Sequence, residues 1–163
     1  MRRPIRLMAS AAAVMTAAPL GVFVGAGTAT AGDTFVPMNQ VSRRCDFSET
    51  DYNGPTGYGR ATSVIGVNGS GLTANVDLLV AKPNMRYDVR LIQLPRPSSA
   101  PCFGGDPGVA QAALQTDGLG NGSVTLHDGV EPGATGAWVL ITRPDPFSQS
   151  PAEFYTSDMI VKI

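Results

Sequence analysis

The amino-acid sequence predicts an all-β fold, an antiparallel β-sandwich of seven or eight short strands, and three observations support this prediction. Nineteen glycines and 13 prolines are spread along the 163 residues. This spacing disfavours helices and suits short strands joined by turns. Polar and apolar residues alternate with a period of two in several segments. The hairpin dipeptide Asn-Gly occurs three times, at 53–54, 68–69 and 121–122.

The alternation is clearest at 72–80, where Thr73, Asn75 and Asp77 lie between apolar residues, as in a strand with one buried face. The segment 68–71 is predicted to turn the chain between this strand and the one before it. Trp138 belongs to a similar alternation and is predicted to lie in the core. The other predicted strands cover 60–67, 85–94, 109–116, 123–127, 136–143 and 153–163, with an edge strand at 35–39.

The strand predicted at 85–94 contains a break in its pattern. Its first apolar residues alternate with charged ones, but Ile92 and Leu94 fall on the face that carries the charges. A bulge or a change of face is therefore predicted near Leu91.

The segment 109–116 has two interpretations. Asp106 and Pro107 form an N-cap and first-turn pair that would suit a short helix over 109–115. The following residues, 116–122, are rich in Gly and Asn and are typical of a hairpin loop. A strand is therefore the preferred interpretation.

The N-terminal segment 1–31 has the three parts of a secretory signal peptide. It begins with basic residues, continues with an uncharged apolar run at 7–24, and ends in the small-residue pattern Ala29-Thr30-Ala31. Cleavage is predicted before Gly32. A membrane anchor is the alternative, but the run is built from small residues and interrupted by Pro19. The remaining residues, 32–163, form one domain by size, and no membrane span is predicted after cleavage.

The charge of the predicted mature chain excludes one class of partner. Residues 32–163 contain nine basic and 13 acidic residues, which gives a net charge of −4 with a neutral histidine. A mildly acidic chain with scattered cations has no electrostatic reason to bind nucleic acid. Arg86 and Arg90 share a strand face with Asp88 between them. They form either a site for an anionic ligand or, the preferred interpretation, a solvated ladder of offsetting charges.

Cys45 and Cys102 are the two cysteines of the chain. In an exported protein a lone pair is expected to form a disulfide. The alternative, a reactive or metal-bound pair, lacks helper residues in the sequence.

The sequence contains no catalytic or transition-metal motif, and no cofactor is predicted. His127 is the single histidine, and no Gly-x-Ser-x-Gly motif is present to supply a nucleophile. Zinc and copper sites require three or four His, Cys or carboxylate ligands, more than one histidine and a paired cysteine couple supply. Two oxygen-rich segments are candidates for a calcium site, although neither matches an EF-hand loop. The preferred interpretation is that one is a solvated acidic loop and the other a hairpin turn. They contain Asp46, Glu49, Asp51 and Asn53, and Asp117 with Asn121.

Seven or eight short strands in a domain of this size are typical of an immunoglobulin-like sandwich, with a small barrel as the alternative. Three long loops, 46–59, 95–108 and 144–152, are the places where such scaffolds carry function. Phe103 and Asp106 lie in the second loop, and Asp145 and Phe147 lie in the third. These four residues are the candidate binding residues. The two aromatic residues are either binding anchors or plugs that cap the sandwich.

Three short segments carry a family resemblance: Tyr58-Gly59-Arg60-Ala61, Pro83-Asn84-x-x-Tyr87-x-Val89-Arg90 and Thr116-Asp117-x-x-Gly120-Asn121-Gly122. With the Ala-rich leader and the cysteine pair, they make the chain resemble small exported β-sandwich proteins of actinobacteria, a group without an assigned activity. The strand pattern is also similar to chordin-like and Cu/Zn-superoxide-dismutase-like sandwiches. The histidines that the dismutases use for metal are absent. The resemblance implies a fold and an extracellular or envelope location, and no activity.

The resulting expectation is a monomeric, secreted or cell-envelope module that binds an unknown protein or envelope component and is not an enzyme. One alternative is a small hydrolase that uses paired carboxylates on carbohydrate, since 13 acidic residues allow such pairs. Another is a carrier of a small apolar ligand, which would need an enclosed cavity.

The disulfide gives a direct prediction for the exported protein. Its intact mass after alkylation should show no modified thiol in the native protein and two modified thiols after reduction, because the pair is expected to be oxidised. Two alkylated thiols without reduction would contradict the pairing.

Overall fold

The computed structural model describes residues 32–52, 54 and 56–163. The predicted signal peptide, 1–31, lies outside the described residues. The described chain forms nine strands: β1 Thr34–Asn39, β2 Arg60–Asn68, β3 Gly71–Leu79, β4 Arg86–Leu94, β5 Val109–Gln115, β6 Gly122–Gly129, β7 Gly136–Arg143, β8 Glu153–Ser157 and β9 Val161–Lys162.

The strands form one antiparallel sheet in the order β5-β4-β7-β8-β1-β2-β3-β6, with β9 also paired to β7. β1 belongs to both layers of the sandwich, because its first four residues, 34–37, pair with β2 and its last two, Met38 and Asn39, pair with β8. The predicted edge strand at 35–39 therefore lies at an edge of each layer and links the two layers into one sheet. β5 and β6 lie close to each other at the two ends of the order, so the sandwich is nearly closed as in a barrel.

The predicted all-β antiparallel sandwich is confirmed, and every predicted strand forms. β6 pairs with β3 and β7 pairs with β4, so the connections from β3 to β4, from β5 to β6 and from β6 to β7 each cross from one layer to the other. The segment that could have been a short helix is strand β5. Asp106 accepts a hydrogen bond from the backbone N–H of Phe103 instead, at 2.7 Å, and so closes a turn. The two-residue turn Gly69-Ser70 joins β2 to β3 as predicted.

The main core lies between the two layers, and each of the nine strands contributes at least one buried side chain to it. Tyr87, Val89 and Leu91 of β4 face Leu72, Val76 and Leu78 of β3 across it, all fully or almost fully buried. Gln93 is also buried and closes one end of the core. Its amide nitrogen donates to Asp128 and to the carbonyl of Gly129, both at 2.8 Å.

The predicted bulge near Leu91 is wrong. The pairing of β4 with β5 and with β7 runs through Leu91 without a break in register. Ile92 and Leu94 face outward as the alternation requires, but they are buried in a second hydrophobic cluster with Trp138, Val109 and Cys102. Trp138 is in the core as predicted, although in this second core. β4 is therefore buried on both faces at this end, because a loop covers its outer side.

The last predicted strand, 153–163, is divided into β8 and β9. Both pair with β7, but two extra residues separate their registers. Met159 and Ile160 protrude at this interruption, 45% and 40% exposed. The side chain of Ser157 replaces the lost backbone partner, since its Oγ accepts the N–H of Val139 at 2.8 Å.

Cys45 and Cys102 form the predicted disulfide, with an S–S distance of 2.03 Å. The bond ties the loop after β1 to the loop between β4 and β5. Phe47 then packs edge-on against Trp138, with ring centroids 5.4 Å apart. The disulfide thus holds the loop that contains Phe47 over the second core.

Replacing both cysteines (Cys45→Ser with Cys102→Ser) should lower the free energy of unfolding by about 4 kcal/mol, because the bond closes a long loop in the unfolded chain. The fluorescence of Trp138 should also shift to the red as its cover loosens. Urea denaturation followed by circular dichroism and fluorescence measures both effects, and the chain's single tryptophan makes the signal specific to the second core. An unchanged midpoint would contradict this role.

Candidate functional site

The outer face of β4, β7 and β8 lies below all three long loops. Alternation along these strands directs Arg90, Leu140, Thr142, Phe154 and Thr156 outward. The disulfide and its loops cover one end of this face as the second core. The other end stays open.

The open part of this face is a groove. Its floor is formed by Arg90, Leu140, Thr142 and Phe154, and its walls come from 42–45, 52 and 149–151 and from the disulfide. The groove has a volume of about 370 Å³, within the range of small-molecule and peptide sites. It continues into a second depression of about 300 Å³ that also contains Arg90, Thr142 and the 149–151 segment.

Three arginines line the first part of the groove: Arg43, Arg44 and Arg90. Arg43 is the most buried, with 8% of its side chain exposed and an ion pair to Glu49 at 3.3 Å. Its guanidinium lies 4.0 Å from the ring centroid of Phe47. Among the described residues its Nε has no hydrogen-bond partner. A buried guanidinium N–H without an acceptor is costly, so an acceptor supplied at this position would be favourable.

Arg90 has no carboxylate partner within 4 Å in the described part of the chain. Asp88 is engaged by Arg86 at 2.8 Å. The predicted ladder of offsetting charges therefore holds for Arg86 and fails for Arg90. Arg90 donates from Nε to Gln111 at 3.3 Å, and its guanidinium lies 5.8 Å from the ring centroid of Phe103.

The structure brings together two of the four candidate binding residues. Phe103 and Asp145 both line the far depression of the groove. Phe147, in the same loop as Asp145, is 96% exposed, and Phe103 is 65% exposed. Neither ring is a plug of the sandwich. Asp145 accepts the N–H of Phe147 at 2.8 Å, and Asp106 forms a similar turn, so both carboxylates shape the loops.

The oxygen-rich segments considered for calcium use their carboxylates in turns. Asp46 accepts from the hydroxyl of Ser48 at 2.6 Å, and this bond holds the pKa of Asp46 below its usual value. Asp117 accepts from the N–H groups of Asn121 and Leu119 at 2.9 and 2.8 Å, which lowers its pKa in the same way. Asn53 lies outside the described residues. No group of three or more His, Cys, Asp or Glu side chains suited to a metal occurs among the residues described.

Gly120 completes the Asp117 turn, and it has to be glycine. Its φ is +83°, a left-handed conformation that other residues rarely adopt. A Cβ at this position would also collide with the carbonyl of Ala81. The turn thereby holds the loop between β5 and β6 in contact with the loop between β3 and β4.

A buried acid at the end of the main core was not anticipated from the sequence. Glu153 is 4% exposed. Its Oε2 accepts from Arg143 Nε at 3.0 Å and from the Tyr87 hydroxyl at 2.9 Å, and its Oε1 accepts from the Tyr155 hydroxyl. Tyr155 in turn accepts the N–H of Gly59 at 3.0 Å. This network anchors the loop before β2 to β8.

The network changes the acidity of both tyrosines. Burial, together with the hydrogen bond to the charged Glu153, raises the pKa of Tyr87 to about 12. The same causes raise the pKa of Tyr155. Glu153 is enclosed by these groups and lies on the inner side of β8, away from the groove. It stabilises the fold and does not contribute a side chain to the outer face.

The sequence offered one signal for the arginines that were missed. Arg43 and Arg44 directly precede Cys45, so the predicted disulfide already placed them beside the loop that contains Phe103. Nothing in the sequence placed these loops above β4, β7 and β8, because that requires the strand order.

Comparisons with protein-family models, with curated proteins and with solved structures found no match to this chain. The described residues contain no helix that is both long and apolar enough to cross a membrane.

The tyrosine network predicts a loss of stability in alkali. Because the folded-state pKa of Tyr87 lies above the value of about 10 in an unfolded chain, its contribution is complete below pH 10 and is lost as the pH rises towards 12. The free energy of unfolding should fall by up to about 1.4 kcal/mol per pH unit for each tyrosine. Urea midpoints between pH 8 and 12 measure the slope.

Tyr87→Phe should flatten this slope, and Tyr58→Phe is the matched control, since Tyr58 is 71% exposed. Equal slopes in the wild type and in Tyr87→Phe would show that Tyr87 is not the titrating group.

Proposed function

We propose that this protein is a secreted or cell-envelope module that acts by binding a partner, without catalysis. Its binding site is the groove on the outer face of β4, β7 and β8. The observation that carries the proposal is the convergence of all three long loops on one open sheet face. A rigid sheet that presents loops of this length is a common arrangement for recognition.

Two features of the groove support binding. Phe103 lines the far depression, Phe147 lies in the loop 144–152 that also lines it, and both rings are exposed. Aromatic residues are enriched in protein interfaces. The disulfide forms part of the wall and restrains two of the loops. Restraint before binding reduces the entropy that is lost when the complex forms.

The carboxylates that could serve a hydrolase have other partners. Asp46, Asp117 and Asp145 accept backbone or hydroxyl hydrogen bonds within their own turns. Glu153 is enclosed by two tyrosines and Arg143. These engagements favour binding over carboxylate catalysis. The continuous packing of the main core likewise gives no support to an enclosed site for an apolar ligand.

The location outside the cytoplasm is part of this proposal. The disulfide supports it, because such bonds persist in oxidising compartments. The predicted signal peptide supports it from the sequence.

The test is capture of a partner by the protein comprising residues 32–163 from envelope extract and culture medium of the source cell. A partner should be captured by the wild type and lost with Phe103→Ala/Phe147→Ala, because Phe103 lines the groove and Phe147 is an exposed ring on a loop that lines it. Phe35→Ala is the control, since Phe35 is 60% exposed on the opposite layer of the sandwich. Quantitative mass spectrometry of the three eluates gives the result.

Capture that is equal in all three proteins would place the site elsewhere, and the absence of any enriched protein would overturn the binding module. Turnover on a hydrolase panel that is abolished by replacing one Asp or Glu would instead establish an enzyme.

A further inference from the structure

The charge of the groove is opposite to the charge of the protein. Residues 32–163 have a net charge of −4, yet three of their nine basic residues line the first part of the groove. No aspartate or glutamate among the described residues lines that part. Such a concentration of one sign attracts a partner group of the opposite sign.

The arginines differ in how much of their hydrogen-bonding capacity is used inside the protein. In the described structure Arg90 donates a hydrogen bond only from Nε, to the neutral side-chain amide of Gln111. Arg44 donates from Nη1 to the carbonyl of Glu49 at 3.0 Å and to the hydroxyl of Ser48 at 3.5 Å, both neutral acceptors. Arg43 keeps an Nε without a partner. Two guanidinium groups are therefore without an anionic partner, and a guanidinium binds a carboxylate through two parallel hydrogen bonds.

Apolar surface separates these cations. Tyr52 and Phe154 stand at one end with ring centroids 6.2 Å apart, and Leu140, Pro151 and the disulfide continue the surface between them and Arg90. A ligand that fills the groove therefore needs apolar groups next to its charge.

The groove also changes sign along its length. Its far depression contains Asp88 and Asp145 in addition to Arg90. A uniform polyanion, such as a polysaccharide with a charge on every repeat, would meet these carboxylates. A peptide with one acidic side chain among apolar ones would place no further negative charge against Asp88 and Asp145. The distance across the sheet from β8 to β4 is two strand spacings, about 10 Å. An extended peptide covers this distance with about three residues.

We infer that the groove binds an extended peptide segment of the partner, with one acidic side chain against Arg90 and Arg44 and with apolar or aromatic side chains against Tyr52, Leu140 and Phe154. This inference rests on the proposed function and specifies the chemistry of its partner. The carboxylate gives charge complementarity, and the apolar side chains give buried area.

The experiment measures fluorescence anisotropy with two labelled peptide pools, Gly-Ser-X-X-Glu-X-X-Ser-Gly and the same pool with Gln in place of Glu, where X is Phe, Tyr, Leu or Val. The Glu pool should bind at least about tenfold more tightly than the Gln pool, as expected for a charge-assisted hydrogen bond. Arg90→Gln should reduce binding of the Glu pool to the level of the Gln pool.

Two variants complete the design. Arg60→Gln removes the same charge from an exposed position on β2 and should leave binding unchanged. Arg44→Gln changes an exposed groove residue and should weaken binding of the Glu pool, which keeps the test informative if Arg90→Gln fails to fold. Circular dichroism and Trp138 fluorescence check the fold of each variant.

Equal binding of the two pools, no binding of either pool, or an unchanged affinity in folded Arg90→Gln and Arg44→Gln would overturn the inference. Polygalacturonate that competes as effectively as the Glu pool would also overturn it, in favour of a site for polyanions. If capture of a partner depends on Phe103 and Phe147 while the peptide pools fail, the binding module stands and the acidic-peptide chemistry does not.

Discussion

The Cys45–Cys102 disulfide is the constraint on which the outer face of the sandwich depends. An antiparallel sheet of this kind commonly exposes its outer side to water, yet here Ile92, Leu94 and Trp138 face outward and are buried. They are covered because the disulfide holds two irregular segments over them. The same two segments then form a wall of the groove. One covalent bond therefore determines both where the second core ends and where the open surface begins.

The inner side of the sandwich depends on a different kind of interaction. Glu153 is a buried charge, and its burial is tolerated because Arg143 and two tyrosine hydroxyls satisfy its oxygens. Removing one of these partners would leave a charge or a polar group without compensation. The network therefore fixes how β8 sits relative to β4 and to the loop before β2. Because Phe154 and Thr156 alternate with Glu153 and Tyr155, the inner network also sets the position of the groove floor.

Local features of the fold were predictable from the sequence, and non-local ones were not. Alternation over 72–80 and the Asn-Gly turn at 68–69 report on neighbouring residues, and β3 and its hairpin form where they indicate. The burial of Ile92 and Leu94 is not predictable from alternation, because alternation does not reveal what covers the second face of a strand. Phe103 and Asp145 were identified as loop residues, but their meeting beside Arg90 follows from the strand order. Glu153 gave no signal in the sequence, because two of its three partners, Arg143 and Tyr87, come from other strands.

The position of β1 between β2 and β8 has a consequence for the synthesis of the chain. Asn39 pairs with Thr156, 117 residues later in the sequence, so β1 leaves the ribosome long before β8, one of its two partner strands, exists. Such long-range pairing is slow to form. Until β8 arrives, the two layers are not joined through β1, and Tyr87 lacks the acid that satisfies its hydroxyl. An interrupted chain therefore exposes unpaired strand edges to proteases, whereas a finished chain hides them.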